Sequence, residues 1–336
     1  GFYLLKYFGL NISSYLILFL FILPIVIIYS SDLAKKKNLI LLNHAPFLIV
    51  FIFLFFISNL NNNENSKKIH IELFQILSPI NKLDKVLVED DIIDKINNSK
   101  AEYLIFAENN YPYLVSDLKN ISIMKNLKNN QKVIIGTTRI ENNRLYNSFI
   151  FLEKNNIQIF DKQILVPFGE FLPFRPYLKF MENITGNIDF TPGINKRLIN
   201  SNNINLLPIV CYEIIFNKIL KNINENKIDF LVNITNDSWF GTKLGPYQHF
   251  YHSRMRALIA NKYLLRVSNN GITSITDNNG KILNFINLNK KGKLTRVIEI
   301  KNTFFYGSIH KLCFIYLIFI IFIYLIYIKY SFRNEK

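Results

Sequence analysis

The stretch Leu206-Leu207-Pro208-Ile209-Val210-Cys211-Tyr212-Glu213 passes from a continuous apolar run straight into a thiol, a phenol and a carboxylate. A short apolar run bounded by polar residues reads as a buried strand. Its end is a strand-to-helix corner, the place where α/β folds display ligands and nucleophiles. Taken alone, Cys211 is better read as a small buried core residue. Two further runs change that balance: Tyr103 to Ala107 ends in Glu108, and Ile157 to Asp161 ends in Lys162. An acid, an ammonium and a thiol at three strand ends make a base, an electrophile and a nucleophile.

Working outward, apolar or β-branched runs recur at Ile69 to Ile76, Lys132 to Thr138, Ser148 to Leu152, Phe230 to Thr235, Leu264 to Ser268 and Val297 to Ile300. Between them, Asp84 to Asn97, Ser116 to Asn126 and Tyr247 to Asn261 carry apolar residues near helical spacing. The alternation predicts an α/β fold with helices covering a buried sheet. Hairpin signals at Asn142-Asn143 and Asp277 to Gly280 make that sheet mixed.

The flanks of the chain have a different character. Ile12 to Tyr29, Leu39 to Ile57 and Leu312 to Ile328 each approach the roughly 20 apolar residues that a bilayer demands. They predict three membrane spans. Lys35, Lys36 and Lys37 follow the first, and Lys329, Arg333 and Lys336 follow the third. Short basic loops stay cytoplasmic, so the region from Asn59 to Lys311 is expected on the far, periplasmic side. The predicted organisation is two spans in 1–59, a catalytic domain in 60–308, and a last span with a cytoplasmic tail in 309–336. Because the chain opens on Gly1 and a second span follows the first, it reads as a fragment or processed product rather than a chain with a cleaved signal.

Of the 336 residues, 50% are hydrophobic, which excludes a disordered chain, and 40 basic against 24 acidic residues leave a net charge of +16. With the basic clusters serving as membrane anchors, no nucleic-acid partner is expected. Two cysteines, Cys211 and Cys313, are too few for a disulfide framework or a zinc ribbon. His249 and His252 lie three apart on a predicted helix, but without a third ligand they read as structural hydrogen-bonding groups rather than a metal site. Neither metal nor cofactor is expected. His44 reads as an interfacial residue.

Four ordered blocks then carry a resemblance: Lys162 with Ile164-Leu165-Val166-Pro167-Phe168-Gly169-Glu170-Phe171; Pro208 to Glu213; Asn236-Asp237-Ser238-Trp239-Phe240-Gly241 with Gly245-Pro246-Tyr247-Gln248-His249; and Arg254-Met255-Arg256-Ala257 with Arg266 to Gly271. Together they resemble the apolipoprotein N-acyltransferases, the membrane-bound branch of the nitrilase or carbon-nitrogen hydrolase superfamily. The resemblance implies a nitrilase-like αββα sandwich domain with flanking transmembrane helices. It also implies a triad of Glu108, Lys162 and Cys211, supported by Glu170, Tyr212 and Glu213. The implied reaction passes an acyl chain from a phospholipid, through a Cys211 thioester, to the α-amino group of a diacylglyceryl-modified apolipoprotein at the bacterial inner membrane. The chain departs from the family at Phe106-Ala107-Glu108, where the family usually reads Trp-Pro-Glu, at Leu83, commonly Trp, and in having fewer amino-terminal spans. A membrane-anchored amidase and an inactive truncated homologue are the alternatives.

Several chemical expectations accompany this reading. A thiol with an ordinary pKa near 8.5 is about 3% ionised at pH 7, so a base at Glu108 gains about 2 kcal/mol. Glu170 and Glu213 are expected beside Lys162, holding its charge. Phe168 to Met181, with Phe168, Phe171 and Phe174 broken by Pro173 and Pro176, reads as an interfacial lid whose Arg175 and Lys179 reach headgroups. Trp239 and Phe240 are expected in the pocket wall.

Overall fold

The computed structural model describes residues 5–15, 17–18, 66–77, 85–118, 121–182, 188–301, 303, 305–307, 315, 318 and 322. The chain divides into two compact units, one of Asn65–Ala257 with Lys262–Asn302, the other of Gly1–Glu64, Leu258–Asn261 and Thr303–Lys336.

In the larger unit, β1 (Lys67–Gln75), α1 (Lys85–Asn98), β2 (Tyr103–Ile105), β3 (Lys132–Glu141), β4 (Arg144–Glu153) and β5 (Asn156–Asp161) come first. They are followed by β6 (Ile199–Ser201), β7 (Ile204–Val210), β8 (Phe230–Thr235), α2 (Leu244–Ala260), β9 (Tyr263–Ser268), β10 (Thr273–Thr276), β11 (Ile282–Ile286) and β12 (Gly292–Ile300). These strands form two six-stranded sheets, ordered β12-β1-β2-β3-β4-β5 and β11-β10-β9-β8-β7-β6. In each sheet three strands run parallel, β1-β2-β3 in one and β7-β8-β9 in the other. Each triplet is flanked by an antiparallel two-strand extension on one side and a single antiparallel strand on the other. The two halves of the domain thus repeat one plan. It is an α/β sandwich of two mixed sheets around a shared core.

Strand periodicity explains the layers. In β2, Tyr103 and Ile105 enter the buried cluster between the sheets, with Ile71, Phe149, Phe151, Leu206, Phe230, Val232 and Leu265, while Leu104 faces the other way. On that outer face Leu104, Phe106, Val133 and Ile135 pack with Ile92 and Ile96 of α1. Every residue of the parallel strand β8 is buried, as expected when both faces of a strand are covered. Asn142 and Asn143, at φ 49° and 59°, close the β3-β4 hairpin as the sequence predicts. Their short polar side chains tolerate the left-handed conformation that this turn requires.

Two sequence expectations differ. Among the described residues of Ser116 to Asn126 there is a 3₁₀ turn at Ser122–Asn126 and no α-helix. Its buried apolar residues, Val115, Ile121, Ile123 and Leu127, fill the surface of the α1 layer without helical spacing. The short strands β6, β10 and β11 were not anticipated. In the smaller unit, residues 5–15 are helical, with Phe8 and Ile12 buried and the Tyr7 and Tyr306 rings 5.3 Å apart. Almost all of the apolar runs Ile12 to Tyr29, Leu39 to Ile57 and Leu312 to Ile328 lies outside the described residues, as do His44, Leu83 and Cys313. Among the described residues no helix is long and apolar enough to cross a membrane.

Candidate active site

Glu108 lies three residues beyond β2, where the chain still pairs with β3 through Phe106 N to Ile134 O, 2.8 Å. It passes so close to β3 that a Cβ on Gly136 would stand 2.6 Å from Glu108 Cα, so the tight approach requires glycine there. Lys162 follows β5 directly, its N–H bonded to Asn147 O at 2.8 Å. Cys211 opens a 3₁₀ turn, Cys211–Ile215, at the end of β7 and adopts a φ of 48°. All three side chains are buried.

The packing of the sheets brings these ends together. Lys162 Nζ lies 3.8 Å from Glu108 Oε1 and 2.8 Å from the Glu170 carboxylate. Asn147 Nδ2 donates to Glu108 Oε1 and to Glu170 Oε1, at 2.7 Å each, so one amide bridges two carboxylates that would otherwise repel. The other Glu108 oxygen accepts from Asn236 N at 2.7 Å, and the Cys211 thiol hydrogen bonds to the same carboxylate. Glu170 is tied down by Val166 N, 2.9 Å away.

Electrostatics follow from burial among charges. Desolvation, reinforced by Glu170, raises the Glu108 pKa above the ordinary carboxylate range against the opposing pull of Lys162. Burial alone would discharge Lys162, yet Cys211, Glu108 and Glu170 together hold its pKa above the usual value. The Cys211 thiol is pushed up to about 12, by burial first and by the Glu108 charge second. This overturns the ordinary thiol pKa expected from sequence. The thiol thus rests neutral beside Glu108. The thiol proton must therefore leave as the sulfur attacks.

Glu213 is placed differently from expectation. Fully buried, it pairs with Arg197, Nη2 to Oε1 at 2.7 Å and Nη1 to Oε2 at 2.8 Å, and not with Lys162. It also accepts from Gln163 N (2.8 Å), Ile164 N (3.2 Å) and Val210 N (2.9 Å). Arg197 in turn donates to Pro208 O at 2.9 Å. The pairing of β6 stops at Leu206, so Arg197 and Glu213 satisfy the backbone that would otherwise be orphaned beside Pro208. Glu213 thus fixes the residues after Lys162 to the residue before Cys211. Tyr212 is half-buried, its ring 5.1 Å from that of Phe216.

The aromatic segment is open. Phe174, Tyr177 and Phe180 are 77%, 84% and 75% exposed, and Phe168 is about half exposed, while Leu172 anchors the segment in the core and Phe171 is half-buried. Arg175 does not reach outward: it donates to Asp189 (Nε to Oδ2, 3.0 Å) and Glu182 (2.9 Å), so it braces the segment, and only Lys179 is exposed. Trp239 is 80% exposed rather than packed in a wall, and the Phe240 ring lies 5.1 Å from that of His249. His249 bonds to Asp237 and to Cys211 O, and among the described residues no three His, Cys, Asp or Glu side chains are grouped to hold a metal ion. Asn147, Arg197 and the Asp237-His249-Arg266 cluster were not singled out from the sequence for the roles they take here. Their partners lie apart in the chain: no local pattern marks Asn147 or Arg197, and the motif blocks that hold Asp237, His249 and Arg266 do not show how the three are joined.

A carboxylate, an ammonium and a thiol thus lie at strand ends in one buried cluster on a two-sheet sandwich. Residues 91–303 match the carbon-nitrogen hydrolase family, and the chain belongs to it. Among curated proteins it is 37% identical over 188 residues to the apolipoprotein N-acyltransferase of Rickettsia prowazekii (strain Madrid E), covering 53% of this chain and 38% of that one. It is 31% identical over 270 residues to that of Rickettsia bellii (strain RML369-C), covering 78% and 49%. To that of Wigglesworthia glossinidia brevipalpis it is 40% identical over 204 residues, covering 57% and 40%. The matches thus span less than half the length of these relatives. Among solved structures, a carbon-nitrogen hydrolase superfamily protein from Xanthomonas campestris superimposes with a TM-score of 0.54 at 14% identity, over 69% of this chain and 91% of that one. Saccharomyces cerevisiae Nit3, of the nitrilase superfamily, gives 0.53 at 16%, over 73% and 94%. These two share the fold.

Proposed function

We propose that the chain is the catalytic portion of an apolipoprotein N-acyltransferase, with Glu108, Lys162 and Cys211 as its catalytic residues. The observation that carries this is the convergence of those three side chains, in a chain whose curated relatives bear that name. The Cys211 sulfur attacks a phospholipid ester carbonyl while Glu108 takes the thiol proton. Lys162 and the backbone N–H after Cys211 stabilise the oxyanion, each such donor being worth about 2.7 to 4 kcal/mol. Glu108 returns the proton to the departing lysophospholipid oxygen, leaving a thioester. The α-amino group of a diacylglyceryl-modified apolipoprotein then attacks, Glu108 takes its proton, and the thiolate leaves and is reprotonated. Glu170 keeps Lys162 charged and placed, and Glu213 and Tyr212 support the turn that carries the nucleophile.

The exposed rings of Phe174, Tyr177 and Phe180 in one short segment support an acyl donor met at a lipid surface. In this reading residues 60–308 form a periplasmic domain and the flanking apolar runs anchor it as a multi-pass protein of a bacterial inner membrane. The test is the fate of a labelled acyl chain from phospholipid in the presence of a diacylglyceryl peptide. Amide formation at the peptide N-terminus is expected. Release of free fatty acid alone would replace this reading by an amidase-like hydrolase with the same triad.

A further inference from the structure

α2 carries two buried side chains seven residues apart, His249 and Arg256, and both reach the carbonyls of the turn that presents Cys211. His249 Nε2 lies 3.2 Å from Cys211 O. Arg256 Nε donates to Ile214 O at 2.8 Å, and its Nη2 donates to Ile215 O. Seven residues make about two helical turns, so the two groups share one face of α2 and grip both ends of the Cys211–Ile215 turn. Carbonyls of so short a turn have few internal partners and need donors from outside.

What the grip opposes is visible in the backbone. Cys211 holds a φ of 48°, a left-handed conformation costing a β-carbon-bearing residue about 1 kcal/mol or more. Such a conformation persists only where its surroundings impose it. His249 is itself oriented from behind: Nδ1 lies 2.8 Å from Asp237 Oδ1, and Arg266 Nη2 donates to Asp237 Oδ2 at 2.7 Å. Arg266 Nη2 also lies 3.2 Å from His249 Nδ1. Thr235 Oγ1 donates to Asp237 Oδ1 at 3.1 Å. Space for the Asp237 carboxylate exists because residue 271 is glycine. A carbonyl and a carboxylate both only accept, so each ring nitrogen faces an acceptor: the contact with Cys211 O requires a proton on Nε2, and keeping the Asp237 contact as well requires a second one on Nδ1.

We propose that His249 is a positioning residue for the nucleophile: through Nε2–H it fixes the Cys211 carbonyl, and with Arg256 it makes α2 the clasp that aims the thiol at Glu108. The proposal rests on Cys211 being the nucleophile. It assigns His249 no contact with substrate.

The test compares two conservative variants of the full chain. In His249→Gln the terminal amide reaches the place of Nε2 and can still donate to Cys211 O. In His249→Asn the shorter amide reaches only the place of Nδ1 and keeps the Asp237 contact. Two rates are read: acylation of Cys211 at saturating phospholipid, and alkylation of Cys211 by iodoacetamide, which needs no lipid site. His249→Asn is expected to slow both about tenfold or more, a loss of the size that a displaced reacting group produces. Its half-saturating phospholipid concentration is expected to be unchanged, and His249→Gln to lie within about threefold of the wild type on the same scale. Equal rates for the two variants, or a faster alkylation in His249→Asn, would overturn the proposal. A wild type that alkylates but never acylates would refute the acyltransferase reading instead, leaving the alkylation comparison to decide this one.

Discussion

Replacing Arg197 with Met removes both hydrogen bonds that Arg197 gives to Glu213, at 2.7 and 2.8 Å, and leaves a fully buried carboxylate without its counter-ion. At an effective dielectric of about 20 the direct attraction across 2.7 Å is about 6 kcal/mol before desolvation is set against it. Breaking a buried pair by removing one partner typically costs 3 to 5 kcal/mol. Three backbone amides still point at Glu213, so a loss near the lower figure is expected, about 3 kcal/mol. In a domain of this size that lowers the melting temperature by about 6 to 12 °C. The assay is thermal unfolding of the purified full chain, followed by circular dichroism, for Arg197→Met, Glu213→Gln and the double variant. If the two groups act as one pair, the double variant is less destabilised than the sum of the singles by about 2 kcal/mol. Because Glu213 ties the Lys162 loop to the strand before Cys211, acylation should fall in Arg197→Met as well. Additivity within about 0.5 kcal/mol, or a loss below about 1 kcal/mol in Arg197→Met, would refute the reasoning.

Two other perturbations address the chemistry and the mouth of the site. The Glu108 pKa is raised, and its carboxylate form must take the thiol proton, so the rate of Cys211 acylation should fall with decreasing pH before the ordinary carboxylate range is reached. A pH-rate profile with an acid limb no higher than that of an ordinary glutamate would contradict this. Phe174 is 77% exposed, so Phe174→Asp should leave the unfolding temperature within about 2 °C of the wild type while weakening use of phospholipid. Unchanged turnover in both detergent and liposomes would remove the lid from the account.

The legible part of the fold was the part encoded locally. Phe230 to Thr235 could be read to the residue because a doubly covered parallel strand is mostly apolar, here broken only by Asn233 before its terminal Thr235. Glu108, Lys162 and Cys211 could be picked out because each ends such a run. Thr273–Thr276 and Ile199–Ser201 are not legible because short, largely polar strands carry little pattern of their own. The partners of Glu213 went astray for another reason. The family resemblance implies Glu213 beside Lys162, whereas the fold delivers Arg197 to it from sixteen residues upstream. The raised thiol pKa was also invisible in sequence, since it arises from burial beside Glu108. His249 shows both sides: its participation in structural hydrogen bonding could be anticipated, but its acceptor, the Cys211 carbonyl thirty-eight residues away, could not.

The central claim is that Cys211 carries an acyl group taken from phospholipid. It is tested most directly by the intact mass of the full chain after incubation with phospholipid, with and without hydroxylamine, beside Cys211→Ala. The account predicts an added mass of one fatty acyl chain on the wild type, removed by hydroxylamine and absent from the variant. An unacylated wild type, or the same adduct on Cys211→Ala, would contradict it.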